Sequence, residues 1–122
     1  MTAADWIAEQ RRVEQAATEG PWEAGTGDGD PRPHVWTSRS SGCVAEITYV
    51  VPNDYGDVRP DDAVFIAAAR TSLPKMRAAL EAVLALHWGE PCAQGPDYCA
   101  ECEHLWPCET YSAITEALGV EP

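Results

Sequence analysis

The chain lacks positive charge where a nucleic-acid partner would need it. Its 122 residues hold 8 Lys and Arg against 20 Asp and Glu, a formal charge of −12. The last basic side chain is Arg77. Beyond it stand only carboxylates (Glu81, Glu90, Asp97, Glu101, Glu103, Glu109, Glu116 and Glu121), so residues 78–122 carry −8 of the −12. Phosphate backbones are gripped by Lys and Arg that displace counterions, so direct nucleic-acid binding is not expected. No run approaches the roughly 18 apolar residues of a membrane helix, and no membrane association is expected. The opening Met1-Thr-Ala-Ala-Asp-Trp6 has no basic segment leading into an apolar one, so no secretory leader is expected. A cytoplasmic setting with reduced thiols follows, and the odd number of cysteines, 5, points the same way.

Complete catalytic motifs are missing too. Gly25-x-Gly-x-Gly is followed by no helix and no Lys-Ser/Thr pair, so it is no phosphate loop. Asp28-Gly-Asp30 lacks the remaining oxygen ligands of a calcium loop. Arg32, His34, Asp54 and Asp57 form no nucleophile–base arrangement. No catalytic and no cofactor-binding residues are expected, and the chain is read as a non-enzyme.

What is present is a series of short elements forming one domain over residues 1–122. Thr2-x-x-Asp5 is a capping-box variant that opens a helix over 3–18, with Trp6, Val13 and Ala17 on one face and Ala3 and Ile7 beside them. Gly20-Pro21 stops it. Residues 21–51 read as a small antiparallel sheet of two or three strands. Its best strand is Cys43 to Val51, with Ala45, Ile47, Tyr49 and Val51 on one face. Pro60-Asp61-Asp62 starts a helix at its positive end. Ala63 to Ala69 is apolar nearly all round, so that helix is expected to be short and buried. Thr71 or Ser72 caps a second helix to about Trp88, with Leu73, Met76, Leu80, Val83, Leu84 and His87 on one face; the pair spans 60–88. After a cysteine-rich segment at 89–108, Thr110 caps a final helix within 110–119, with Ile114 and Leu118 inward. The class is α+β: a small sheet on an N-terminal helix and a helical pair, closed by a cysteine-rich segment and a short terminal helix.

That segment carries the chemistry. Cys99-x-x-Cys102 is a usual first pair for zinc, because two intervening residues let both sulfurs face one ion, and Cys108 returns five residues later. The fourth ligand is His87, Cys92 or His104. His87 is preferred because it ends a well-defined helix. Buried cysteines, reduced or disulfide-linked, and a redox pair remain the alternatives. The expected set is His87, Cys99, Cys102 and Cys108 around a structural zinc ion.

Gly20-Pro-Trp-Glu23 after the first helix, and Asp61-Asp-Ala-Val-Phe-Ile-Ala-Ala-Ala-Arg-Thr-Ser-Leu-Pro74 leading into an Ala/Leu-rich helix, resemble the Ead/Ea22-like family of small bacteriophage and prophage proteins. The tail Cys99-x-x-Cys-x-x-x-Trp-Pro-Cys108-x-Thr110 resembles the C-terminus of actinobacterial and phage relatives. The resemblance implies a phage-encoded accessory protein of the host cytoplasm and brings no catalytic residues. In those relatives a histidine often precedes the cysteines, which supports His87; Cys92 is an addition to the pattern. The expected role is binding a host or phage protein, through the hairpin bearing Trp36 and Tyr49 or the first helix, and a homodimer is left open. The alternative is an acidic DNA mimic that inhibits a host defence or DNA-processing enzyme, although the carboxylates are dispersed rather than set in duplex-like rows.

Overall fold

The computed structural model describes residues 1–27, 30–37, 43–46 and 60–122. In chain order the elements are α1 (Ala3–Ala16), β1 (Trp22–Gly27), β2 (Asp30–Thr37), β3 (Cys43–Glu46), α2 (Pro60–Leu86), β4 (Gly89–Glu90), β5 (Tyr98–Cys99) and α3 (Glu109–Leu118). The fold is α+β, with a three-stranded sheet in the order β1-β2-β3 and a separate β4-β5 pair. Packing groups the chain into two compact units, one of residues 1–14 and 76–122, the other of residues 15–75. The expected strand continuation Ile47–Val51 and loop Pro52–Asp57 lie outside the described residues, as do Asp28, Asp54 and Asp57 of the motifs considered above.

In the unit of residues 15–75, β1 and β3 both pair antiparallel with β2, which places Val35 opposite Ala24 on one side and Ala45 on the other. Val35 is fully buried and packs with Ala63 and Ala67 of α2; Trp22, Val44 and Ile66 close the cluster. Burying a valine of this kind contributes about 1.5–3 kcal/mol. Alanines at i and i+4 give α2 a flat stripe that lets the sheet approach closely. This corrects the expectation of an all-round buried helix. A sheet covers only one side of α2, so Phe65 stays 74% exposed and Val64 56%. Arg70 ties the turn after α1 to α2: its Nε donates to the Thr18 carbonyl (3.0 Å), and its guanidinium lies 5.7 Å from the centroid of the Trp22 ring.

The expected helical pair is one helix of 27 residues, with Pro74 inside it and its end at Leu86 rather than Trp88. A proline removes one backbone hydrogen bond and crowds the carbonyl four residues earlier. Ending one helix and starting another would strand up to four N–H and four C=O groups at the break and require a second nucleation. Continuity therefore costs less than interruption, and Thr71 and Ser72 lie within the helix instead of capping one.

In the unit of residues 1–14 and 76–122, the N-terminus forms the expected capping box. Thr2 Oγ1 accepts from the Asp5 N–H (3.2 Å), and Asp5 Oδ2 accepts from the Thr2 N–H (3.0 Å). The Thr2 N–H, joined by the Thr2 hydroxyl donating to the same oxygen (2.8 Å), holds the Asp5 carboxyl below the usual carboxylate range. The buried face of α1 differs from the expected one. It carries Ala3 and Ile7, with Gln10 and Glu14 half-buried, while Val13 is 49% exposed. On α2, Leu80, Leu84 and His87 are half-buried, whereas Met76 and Val83 are exposed. Electrostatics turned both faces. Arg77 Nε donates to both oxygens of Glu14 (2.9 and 3.0 Å), and its Nη1 donates to Glu81 Oε2 (3.0 Å). Arg11 donates to Glu81 as well (2.7 Å to Oε2). Glu14 facing Arg77 and Arg11 facing Glu81 set these stretches of α1 and α2 antiparallel.

Candidate metal centre

Three elements of this same unit converge at the end of α2. The last turn of the helix delivers His87, whose N–H still reaches the Val83 carbonyl at 3.4 Å. Two residues on, β4 pairs with β5 in the register Gly89↔Cys99 and Glu90↔Tyr98, and the Ala100 N–H donates to the Trp88 carbonyl (3.0 Å). Cys99 is thus brought back beside the helix end. Residues 99–104 then fold into a tight loop: the Cys99 N–H donates to the His104 carbonyl (2.7 Å) and the Glu103 N–H to the Cys99 carbonyl (2.9 Å). The loop closes with Glu103 at φ 60°, a left-handed conformation uncommon for a residue other than glycine.

The third element is α3. Its N-cap is Cys108, in extended conformation, rather than the expected Thr110. The Ser112 N–H donates to the Cys108 carbonyl at 2.9 Å, leaving the Cys108 sulfur free to face the other ligands. A helix N-terminus favours negative charge, so it suits a thiolate. Gly119, at φ 66°, ends α3 in the left-handed conformation, its N–H donating to the Glu116 carbonyl. Thr115, rather than Ile114 or Leu118, is the fully buried side chain of this helix, and its hydroxyl is satisfied by the Tyr111 and Ser112 carbonyls.

The ligand atoms of His87, Cys99, Cys102 and Cys108 all lie within 4.8 Å of one another, close enough to hold a metal ion. His87 Nδ1 is 3.4 Å from Cys99 Sγ and 3.5 Å from Cys108 Sγ. Bonds of about 2.0–2.3 Å in a tetrahedron place nitrogen and sulfur about 3.5 Å apart, so these two edges match. Cys99 and Cys108 are buried, at 0% and 2% exposure, and Cys102 and His87 are half-buried. The other two candidates for the fourth position stand apart. Cys92 is exposed, and His104 is exposed and takes part in the loop through its carbonyl.

The local field prepares one sulfur for coordination. Burial pushes the Cys99 thiol up, but the backbone N–H groups of Cys102 and Glu101, with the His87 and Cys102 side chains, outweigh it and bring it down to about 6. At Cys102 the His104 N–H favours the thiolate, yet burial and the Cys99 and Cys108 sulfurs prevail and raise that thiol. Three sulfurs crowded together resist ionising at once. A divalent cation removes that conflict, since coordination favours the thiolate form.

Aromatic packing supports the loop from behind. The Trp106 and Tyr111 rings lie 4.4 Å apart between centroids, tilted by 48°, and Gly89 leaves room for the indole, because a Cβ there would meet Trp106 Cδ1 at 2.8 Å. Sequence reasoning missed this contact, the β4-β5 pair and the capping role of Cys108. The one signal available was a glycine three residues past the helix end and ahead of an aromatic-rich loop. No protein-family model, no curated protein and no solved structure that was compared with the chain matches it.

Proposed function

We propose that the chain is a non-catalytic accessory protein that acts by binding another protein, and that its C-terminal segment is held by a structural zinc ion. The observation that carries this reading is the closed set of four donors. Three sulfurs and one imidazole nitrogen are the soft and borderline ligands zinc prefers, and they saturate a tetrahedral ion. Zinc enzymes instead keep three protein ligands and an open position for water. The likeness of Asp61 to Pro74 and of the cysteine tail to Ead/Ea22-like phage proteins supports a phage-encoded accessory role in the host cytoplasm. Among the described residues no helix is long and apolar enough to cross a membrane. The alternative of an acidic DNA mimic draws support from net charge alone, and Glu9, Glu14 and Glu81 are occupied by arginines of the same chain.

Metal analysis of protein purified without added zinc tests the reading. One equivalent of zinc per chain, lost in Cys99→Ser and retained in Cys92→Ser, is expected; metal-free, fully folded protein overturns it. Affinity capture with the zinc-loaded chain tests the binding role, and repeated recovery of no specific partner counts against it.

A further inference from the structure

The unbroken helix α2 is apolar on two sides, and only one of them is covered. On its inner side Ala63 and Ala67 are buried, and Leu80 and Leu84 are half-buried. Arg70 and Arg77 turn the same way, to the Thr18 carbonyl and the Glu14 carboxylate. The outer side carries a second stripe. Phe65, Ser72, Ala79 and Leu86 recur every seven residues, and Ala69, Met76 and Val83 fall between them. That alternation of four and three keeps a seam on one side of a helix. Phe65 is 74% exposed, Met76 64%, Leu86 54% and Val83 38%. A helix apolar all round belongs in an interior, and contiguous exposed apolar surface of this extent marks an interaction site.

Charge and size say what covers it. The chain carries −12, so a second copy is repelled wherever carboxylates meet. No carboxylate stands between Asp62 and Glu81, and Glu81 is engaged by Arg11 and Arg77. Between those positions the outer side bears one charge, Lys75, whose long stem can carry its ammonium out to water. Two copies can meet here without opposing carboxylates, whereas a basic partner finds no anion to pair with.

The order of side chains suits the same occupant. Bulky Phe65 and Leu86 stand at the two ends, Met76 at the middle, and Ala69, Ser72 and Ala79 between. Laid antiparallel on a copy of itself, the stripe sets Phe65 against Leu86 and Val83 against Ala69. The small residues let the helix axes approach to about 8 Å. The antiparallel sense also keeps the Asp61-Asp62 ends of the two helices apart. The seam is about 32 Å long. Its exposed side chains offer on the order of 600 Å² per chain, so a symmetric pair buries about 1,200 Å², the lower limit for a stable interface.

We propose that the protein is a homodimer in which the outer sides of two α2 helices pack antiparallel, with Met76 of each chain at the two-fold axis. The inference stands apart from the metal reading, because no metal ligand takes part.

Sedimentation equilibrium of the full chain at about 100 μM, above the micromolar Kd that such an area commonly supports, should give twice the 13.2 kDa of one chain. Met76→Glu sets two carboxylates face to face and should weaken association at least about a hundred-fold, with unchanged far-ultraviolet circular dichroism. Ala78→Glu adds the same charge at an exposed position off the stripe and should leave the dimer intact. The chain has one phenylalanine, so the register is readable. Isotope-filtered NMR of mixed labelled and unlabelled chains should join the Phe65 ring to the Leu86 methyls of the other copy. A monomer at that concentration overturns the proposal and leaves the stripe to a helix of another protein. A dimer undisturbed by Met76→Glu, equal dissociation by both glutamates, or contact of Phe65 with Phe65 across the pair overturns it as well. Failure of the metal reading shows separately, as absence of zinc from the purified chain.

Discussion

Arg77 reaches across 63 positions of sequence to clasp Glu14, its Nε donating to both carboxylate oxygens at 2.9 and 3.0 Å. Both side chains are largely shielded from water, at 14% and 18% exposure. The pair explains why hydrophobic periodicity misplaced the inner faces of α1 and of the end of α2. A shielded charge must be matched, and matching it turned Val13 and Met76 outward.

Truncating one partner while leaving the other shielded is the costly change. Arg77→Met should destabilise the fold by about 1–3 kcal/mol. A double-mutant cycle with Glu14→Gln, followed by urea unfolding, should show that the two losses do not add. Additive losses would mean that the pair contributes nothing as a pair.

Pro74 separates one long helix from two short ones. In the first turn of a second helix, proline would be well placed and its replacement neutral or harmful. Inside a continuous helix it costs a backbone hydrogen bond. Pro74→Ala should therefore stabilise the protein, by at most about 3 kcal/mol, with a matching rise in helical circular dichroism. A loss of stability would favour a break at Ser72.

Gly89 makes room for Trp106, and a Cβ there would come within 2.9 Å of the indole Cγ, an atom too near the backbone to swing aside. Gly89→Ala should cost about 1–3 kcal/mol by overpacking and alter the near-ultraviolet circular dichroism of the tryptophans. Gly95→Ala, where the nearest atom is Cys92 Sγ at 3.8 Å, should have little effect.

Short motifs and tertiary contacts differ in how much of them is written locally. Thr2-x-x-Asp5 and Cys99-x-x-Cys102 depend on residues a few positions apart, so their spacing was readable, as was the α+β class from the change in periodicity. The sequence favours His87 as fourth ligand because a helix can hold it, and the structure sets it beside Cys99 and Cys108. The contacts that escaped notice join distant segments: Arg77 with Glu14, Gly89 with Trp106, Val35 with Ala63 and Ala67. Nothing in a local pattern announces such meetings. The run Ala63 to Ala69 misled because composition records which residues are apolar, whereas the sheet decides which of them have something to bury against.

The pH response of the metal-free protein follows from Cys99. Its thiol is lowered from 9.0 to about 6, because N–H groups and neighbouring side chains outweigh the opposing effect of burial. A lowered acid gives stability that is fully present above its unfolded value and is lost as the pH falls through the folded one. Between about pH 9 and pH 6, metal-free protein should thus lose stability steadily as acid is added. Thiolate absorbance near 240 nm should fall with a midpoint near 6, and Cys99→Ser should remove that step. A first thiol that titrates only near 9 would contradict the assignment.

His87, Cys99, Cys102 and Cys108 are close enough to hold a metal ion, and the ion proposed for them is a single zinc. X-ray absorption at the zinc edge, on protein purified without added metal, reads the coordination shell directly. Three sulfurs at about 2.3 Å and one nitrogen at about 2.0 Å are expected, with the nitrogen replaced by a fourth sulfur in His87→Cys. Four sulfurs in the unaltered protein, or a shell of oxygen and nitrogen alone, would contradict it.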